Sequence, residues 1–154
     1  MFNYSLFVSL LVSLGTGVLS GFITRNDTRS FFDLIEKPPL TPPSVVFPIV
    51  WTVLFALMGI SAYFIWKENN CKYKNVSLAI YILQLIFNFL WPIIFFKYKE
   101  LEIAFTWLIF LWIEVVIMTV LFYNCSKKAG LLQIPYVIWL TFAVYLNFAI
   151  CVLN

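Results

Sequence analysis

The chain has 154 residues, of which 63% are hydrophobic, and its mean hydropathy is +0.96. A soluble domain of this length could not bury so much apolar surface, so the composition indicates an integral membrane protein. The formal net charge of +3 comes without a basic cluster, which argues against a nucleic-acid partner. The sequence has no histidine, the commonest metal ligand and general base, so no metal site is expected.

Five windows are each long enough to cross a bilayer as a helix, which takes about 20 residues. The polar segments between them are too short to fold separately. We therefore predict one all-α domain over residues 1–154, a bundle of five transmembrane helices with a lid-like first loop. The windows cover approximately residues 4–24, 45–66, 76–96, 103–123 and 131–152.

The first window has no basic n-region and is longer than the apolar part of a signal peptide, so we interpret it as a retained span. The ten Lys and Arg residues divide equally between the two faces of the bundle, so the positive-inside rule gives no orientation. No extension resembling a transit peptide precedes the first span, which favours a bacterial plasma membrane over an organelle.

Small residues recur every four positions in the first span, at Ser9, Ser13, Gly17 and Gly21. They share one helical face and permit close approach of another helix. Packing inside the bundle and a face for a homodimer both fit this pattern.

The first loop contains four prolines between residues 38 and 43, which cannot continue a helix. Before them, apolar and charged residues alternate over 31–37, a pattern that predicts a short amphipathic helix lying over the bundle. The proline segment leads directly into the span that carries Trp51. This arrangement is suited to covering a cavity at the membrane surface.

The third span places Gln84, Asn88 and Trp91 on one helical face. Amides are costly against lipid, so this face is expected to point inward. Hydrogen bonding between helices and a polar anchor in a ligand cavity are both compatible with it.

Aromatic residues on two further spans suggest walls for such a cavity. In the fifth span Trp139, Ala143 and Asn147 are four residues apart, and the small Ala143 leaves a gap between ring and amide. Trp51 and Phe55 are four apart in the second span. The gap at Ala143 in the fifth span could admit either a flat ligand or a neighbouring helix.

Taken in order, these motifs resemble those of the tryptophan-rich sensory protein (TspO), or translocator protein, family. The resemblance covers the whole chain. The motifs are Lys37-Pro38-x-x-Thr41-Pro42-Pro43, Trp51, Gln84-x-x-x-Asn88-Phe89-Leu90-Trp91, Pro135-Tyr136-x-x-Trp139 and Leu146-Asn147.

The resemblance implies a five-helix bundle, often a homodimer, that binds porphyrin-type tetrapyrroles and, in some members, sterols. It links Trp51 and Trp139 to light-dependent porphyrin breakdown, places Asn88 in the same pocket, and makes the first loop its lid. With the patterns above, it predicts a ligand site lined by Pro42, Pro43, Trp51, Phe55, Gln84, Asn88, Trp91, Trp139, Ala143 and Asn147.

Two positions depart from the family pattern. Leu40 stands where the family usually has tryptophan, so one aromatic wall of the lid is expected to be missing. Phe148 replaces the tyrosine of the sterol-recognition pattern, and no basic residue follows it. A looser sterol pattern at residues 121–127 is a weak indication of sterol-like lipids as partners.

Four residues carry chemistry that these motifs do not use. Glu114 is the only charged residue within the five windows, and a protonated acid bonded to a neighbouring helix or a proton or ligand site would each explain it. Cys71, Cys125 and Cys151 have no CxxC spacing, so a disulfide framework or zinc site is not expected.

Three functions follow as hypotheses. The first is a membrane receptor for a porphyrin-like ligand, held by stacking on aromatic rings and oriented by amides, with no cofactor besides that ligand. The second is an enzyme that uses Trp51 and Trp139 in light- and oxygen-dependent porphyrin degradation. A porphyrin or sterol transporter is less favoured, because matched repeats with broken helices are not visible.

Overall fold

The computed structural model describes residues 4–154 and, within that range, contains five α-helices and no strand. Each helix is long and apolar enough to cross a bilayer, which confirms the predicted multi-pass helical architecture. The helices are α1 (Tyr4–Leu34), α2 (Val46–Lys67), α3 (Lys74–Pro92), α4 (Leu101–Cys125) and α5 (Lys127–Leu153), and a π-helical turn at Ile93–Lys97 extends α3.

Consecutive helices run antiparallel, and around the bundle they follow the order α1, α2, α5, α4, α3. In the half away from the first loop, α2 and α4 also approach each other, and their apolar side chains fill the centre. Met58, Ile65, Val115 and Met118 are fully buried there. Because these residues close the centre of one half only, the half beside the first loop has room for a cavity.

Helix α1 continues ten residues beyond the predicted end of the first span, so the prediction of a separate amphipathic helix at 31–37 was wrong. Residues 25–34 contain neither glycine nor proline, and extending a helix costs less than nucleating a new one. The hydroxyls of Thr24 and Thr28 donate to carbonyls one turn earlier, at 2.9 and 2.8 Å. The first loop is therefore confined to residues 35–45.

The proline segment of the first loop forms two tight turns. Thr41 N–H donates to the Pro38 carbonyl at 3.0 Å, and Val46 N–H donates to the Pro43 carbonyl at 2.9 Å as α2 begins. The start of the loop is tied to the end of α5, because Asn154 exchanges two hydrogen bonds with the backbone of Glu36, at 2.9 and 3.1 Å. The loop is thus anchored at both ends above the bundle.

The small-residue face of α1 is used inside the protomer. The Ser13 hydroxyl donates to the Phe55 carbonyl of α2, and a side chain at Gly17 would collide with the Phe55 ring. Gly59 of α2 in turn lies against the backbone of Ser9 and Leu10, where a Cβ would approach to 3.0 Å. The intramolecular interpretation of this pattern therefore holds for most of the stripe.

A disulfide joins Cys71 to Cys125, a pairing that the expectation against a disulfide framework did not anticipate. The two residues are 54 apart in sequence, but α2 and α4 end on the same face of the bundle and bring their Cα atoms to 5.2 Å, within the usual range for a disulfide. Sequence spacing alone could not reveal this, since the pairing depends on helix packing. Cys151 remains a free thiol.

Candidate functional site: an aromatic cavity beneath the first loop

The half of the bundle beside the first loop encloses a cavity of about 540 Å³. Helices α1, α2, α3 and α5 and the π-helical turn line it, together with two loop residues, Thr41 and Ser44, whereas α4 contributes no lining residue. Its volume falls within the range of small-molecule binding sites.

The structure brings most of the sequence-predicted site residues together and leaves three apart. Pro42 and Pro43 line a separate cleft beside the cavity, and Gln84 lines neither space. The cavity itself is lined by Trp51, Phe55, Asn88, Trp91, Trp139, Ala143 and Asn147.

Two indoles from different helices form aromatic walls of the cavity. The Trp51 ring lies 5.8 Å from Phe55 and meets Tyr136 edge-on at 6.2 Å, measured between centroids. The Trp139 ring meets Phe47 edge-on at 5.9 Å. Trp51 and Trp139 thus face one space, as the sequence pattern predicts, while their role toward a ligand stays a prediction.

Two buried polar atoms in the lining have no hydrogen-bond partner among residues 4–154. They are Nε1 of Trp139 and Oγ1 of Thr41. Buried polar groups are almost always satisfied, so this donor and this hydroxyl are available to a water molecule or to a polar ligand group in the cavity.

A chain of three hydrogen-bonding side chains closes the deep end of the cavity. Nδ2 of Asn88 donates to the Tyr136 hydroxyl at 2.7 Å, and that hydroxyl donates to Oε1 of Gln84 at 3.0 Å. Hydrogen bonding between helices therefore holds for both residues of the α3 face, Gln84 behind the cavity wall and Asn88 within it. A role for Asn88 as a polar anchor for a ligand stays a prediction. The Oδ1 atom of Asn88 takes no part in the bond to Tyr136 and is the atom a ligand donor would use.

Trp91 and Asn147 hold each other in place in the cavity wall. The Trp91 Nε1 donates to Oδ1 of Asn147 at 3.3 Å, and the indole stacks on Phe95 at 5.0 Å. Nδ2 of Asn147 donates to the Leu101 carbonyl, also at 3.3 Å. These groups fix the shape of the wall, since their polar atoms are already engaged within the protein.

Leu40 and Glu114 lie away from the cavity. Leu40 is 63% exposed and lines neither space, and the expected loss of one aromatic wall of the lid at this position stays a prediction. Glu114 lies on α4, and its Oε2 is buried without a hydrogen-bond partner among the described residues. A ligand role for Glu114 in this cavity has no support from its position.

Sequence reasoning missed the contribution of α1. Ser20, Thr24, Thr28 and Phe32, four residues apart, follow the lining face of this helix. The spacing was visible in the sequence, but it crosses the predicted end of the first span, so its two halves were assigned to different elements. Ser20 also donates to the Phe89 carbonyl at 2.9 Å, which holds α1 against α3.

Five apolar spans, four of which line an aromatic cavity beside a proline-rich loop, define a polytopic membrane protein with an internal space of small-molecule size. The model of the TspO/MBR family matches residues 7–153, and the chain belongs to this family. The resemblance drawn from the sequence motifs is thereby confirmed.

Relatives from three domains of life match almost the full chain. The tryptophan-rich protein TspO of Archaeoglobus fulgidus is 38% identical over 149 residues, covering 97% of this chain and 96% of that protein. The tryptophan-rich sensory protein of Cereibacter sphaeroides is 33% identical over 152 residues, covering 99% and 93%. The translocator protein of Homo sapiens is 34% identical over 144 residues, covering 92% and 85%.

Proposed function

We propose that the chain is a membrane receptor that binds porphyrin-type tetrapyrroles in the aromatic cavity. The observation that carries the proposal is the convergence of indoles from α2, α3 and α5, at Trp51, Trp91 and Trp139, on one space that also contains the amide of Asn88. Flat aromatic ligands gain most of their affinity from stacking and burial, and a few polar groups fix their orientation.

The polar atoms of the lining support a ligand that is mostly apolar and carries a few polar groups. Trp139 Nε1 would donate to an acceptor on the ligand, and Oδ1 of Asn88 would accept from a ring N–H. The pyrrole nitrogens of a metal-free porphyrin include both kinds of group. The Trp91–Asn147 bond would keep the third wall rigid during binding.

The test is a titration with protoporphyrin IX in darkness, using protein in nanodiscs of neutral lipid and empty nanodiscs as the blank. We expect saturable quenching of tryptophan fluorescence that weakens in Trp51→Phe. The matched control is Trp66→Phe, because Trp66 lies on the same helix, is 47% exposed and does not line the cavity. Equal behaviour of the two variants would refute the proposed site.

A second candidate function is an enzyme that degrades porphyrin in light and oxygen through Trp51 and Trp139. It is favoured by one observation, the position of both indoles on the same cavity. Illumination of the complex in air should then yield a product that is absent without oxygen and absent in the Trp51→Phe/Trp139→Phe double variant. Porphyrin recovered intact after illumination of the parent protein would contradict the enzymatic function and leave the receptor function as the remaining candidate.

The proposal also includes a homodimer, a bacterial plasma membrane and sterol-like lipids as further partners. Since Ser9, Ser13 and Gly17 are occupied within the protomer, a dimer would use another apolar surface. Cross-linking in native membranes tests the dimer. Competition of cholesterol with protoporphyrin IX tests whether sterols share the cavity.

A further inference from the structure

A second cleft, of about 590 Å³, lies beside the aromatic cavity, between the last turns of α1 and the proline loop. The two spaces share five lining residues, Thr28, Phe32, Thr41, Ser44 and Phe47. They therefore meet along a common border, so one ligand can occupy both.

Basic side chains from α1 and from the first loop line the cleft. Because α1 is continuous, Arg25, Thr28, Arg29 and Phe32 fall on one helical face, at intervals that bring neighbours together on consecutive turns. Arg25 lines the cavity and Arg29 lines the cleft. Lys37 enters from the loop, with its ammonium group 5.6 Å from the centre of the Phe32 ring.

These cations are not neutralised within the described part of the chain. The guanidinium group of Arg29 has no hydrogen bond or ion pair with any of residues 4–154. Asp33 is the single acidic residue among the described residues that line either space, against Arg25, Arg29 and Lys37. The formal charge of the combined lining is therefore three positive minus one negative, or +2.

We propose that Arg29 and Lys37 form a carboxylate subsite, so that the ligand is a flat apolar ring bearing acidic side chains. The ring would occupy the aromatic cavity, and its carboxylates would cross the shared border into the cleft. The guanidinium group can donate two hydrogen bonds to a carboxylate in a bidentate geometry, and Lys37 adds a second positive charge from the loop. This inference rests on the proposed function, because it assigns the acidic end of the same ligand.

The test compares protoporphyrin IX, a dicarboxylic acid, with its dimethyl ester, which has the same ring and no negative charge. Both are titrated in darkness into protein in neutral-lipid nanodiscs. Arg29 and Lys37 are exposed, so each ion pair is expected to be modest. We expect the diacid to bind about three- to tenfold more tightly than the ester.

The double variant Arg29→Gln/Lys37→Gln should bind the diacid as weakly as the ester and bind the ester like the parent protein. Retained ester binding also shows that this variant is folded. Lys97→Gln/Lys99→Gln is the matched control, because it removes two exposed cations from the same face of the bundle without touching the cleft. It should keep the preference for the diacid.

The outcomes separate this inference from the proposed function. Equal affinities of diacid and ester for the parent protein would overturn the carboxylate subsite and leave porphyrin binding intact. Saturable binding of neither probe would overturn both. The preference for the diacid could instead change with the anionic-lipid content of the nanodiscs and stay the same in the cleft variants. That result would assign the cleft to lipid headgroups and overturn the carboxylate subsite.

Discussion

Replacing Asn88 by leucine tests whether the amide in the cavity wall serves a ligand or only joins two helices. The side chain is 5% exposed, and its one hydrogen bond with the described residues 4–154 is the donation from Nδ2 to the Tyr136 hydroxyl at 2.7 Å. Leucine nearly keeps the volume and removes that donor. The Tyr136 hydroxyl keeps its bond to Gln84, so the free energy of unfolding should fall by only about 1 kcal/mol.

Ligand affinity should fall by more than stability if Oδ1 of Asn88 accepts a hydrogen bond from the ligand. Leaving a buried donor of the ligand unsatisfied costs about 1–3 kcal/mol, which corresponds to roughly a 5- to 150-fold weaker dissociation constant. Protoporphyrin IX titrated in darkness into the folded variant measures this quantity. Unfolding of the same preparation without ligand measures stability.

Tyr136→Phe is the matched variant, because it breaks the same hydrogen bond from the other side. Tyr136 is fully buried and does not line the cavity. Its loss leaves both Nδ2 of Asn88 and Oε1 of Gln84 without their partner, so stability should fall more than in Asn88→Leu, by about 1–3 kcal/mol. Affinity per folded molecule should stay within a few-fold of the parent. If Asn88→Leu instead lowers stability and leaves affinity unchanged, the amide is structural and the ligand does not reach it.

Three further predictions address the indoles, the disulfide and the buried acid. Trp51→Phe/Trp139→Phe should remain folded, quench less with porphyrin and form no photoproduct; the same product yield as the parent would exclude an enzymatic role for these indoles. Reductant should change the electrophoretic mobility and lower the thermal stability of the parent but not of Cys71→Ser. The loss of unfolding free energy should be at most about 4 kcal/mol for a closed loop of this length. A parent insensitive to reductant would mean that Cys71 and Cys125 are not joined in the isolated protein. Glu114→Gln should bind porphyrin like the parent, because Glu114 lies outside the cavity; a tenfold loss of affinity in the titration would contradict that placement.

The positions of the five spans could be predicted from the sequence because a bilayer imposes a strict length of apolar helix. The inward direction of Asn88 was predictable for a related reason, since an amide facing lipid is costly. The end of α1 was not predictable by the same argument. Outside the hydrocarbon, hydropathy no longer restricts the chain, and residues 25–34 stay helical because nothing in them breaks the helix.

The distinction between a lining residue and one directly behind it also lay beyond the sequence. Gln84 and Asn88 share a helical face and the same chemistry, yet only Asn88 reaches the cavity. The difference arises from Tyr136 of α5, which fills the space beside Gln84. Such contacts depend on which helices become neighbours, and the spacing of residues within one helix does not determine that. The pairing of Cys71 with Cys125 was hidden for the same reason.

Trp91, Trp107 and Trp139 differ in whether the indole N–H has a hydrogen-bond partner among the described residues. Trp91 donates to Asn147, Trp107 donates to the Phe87 carbonyl at 2.9 Å, and these indoles are also stacked on neighbouring rings. Trp139 contacts rings as well, but its buried Nε1 has no partner among the described residues. A buried indole donor is normally satisfied, so Trp139 is the aromatic wall most directly suited to a polar ligand atom. That asymmetry explains how a tryptophan-rich bundle can be rigid and still present a hydrogen-bond donor to its cavity.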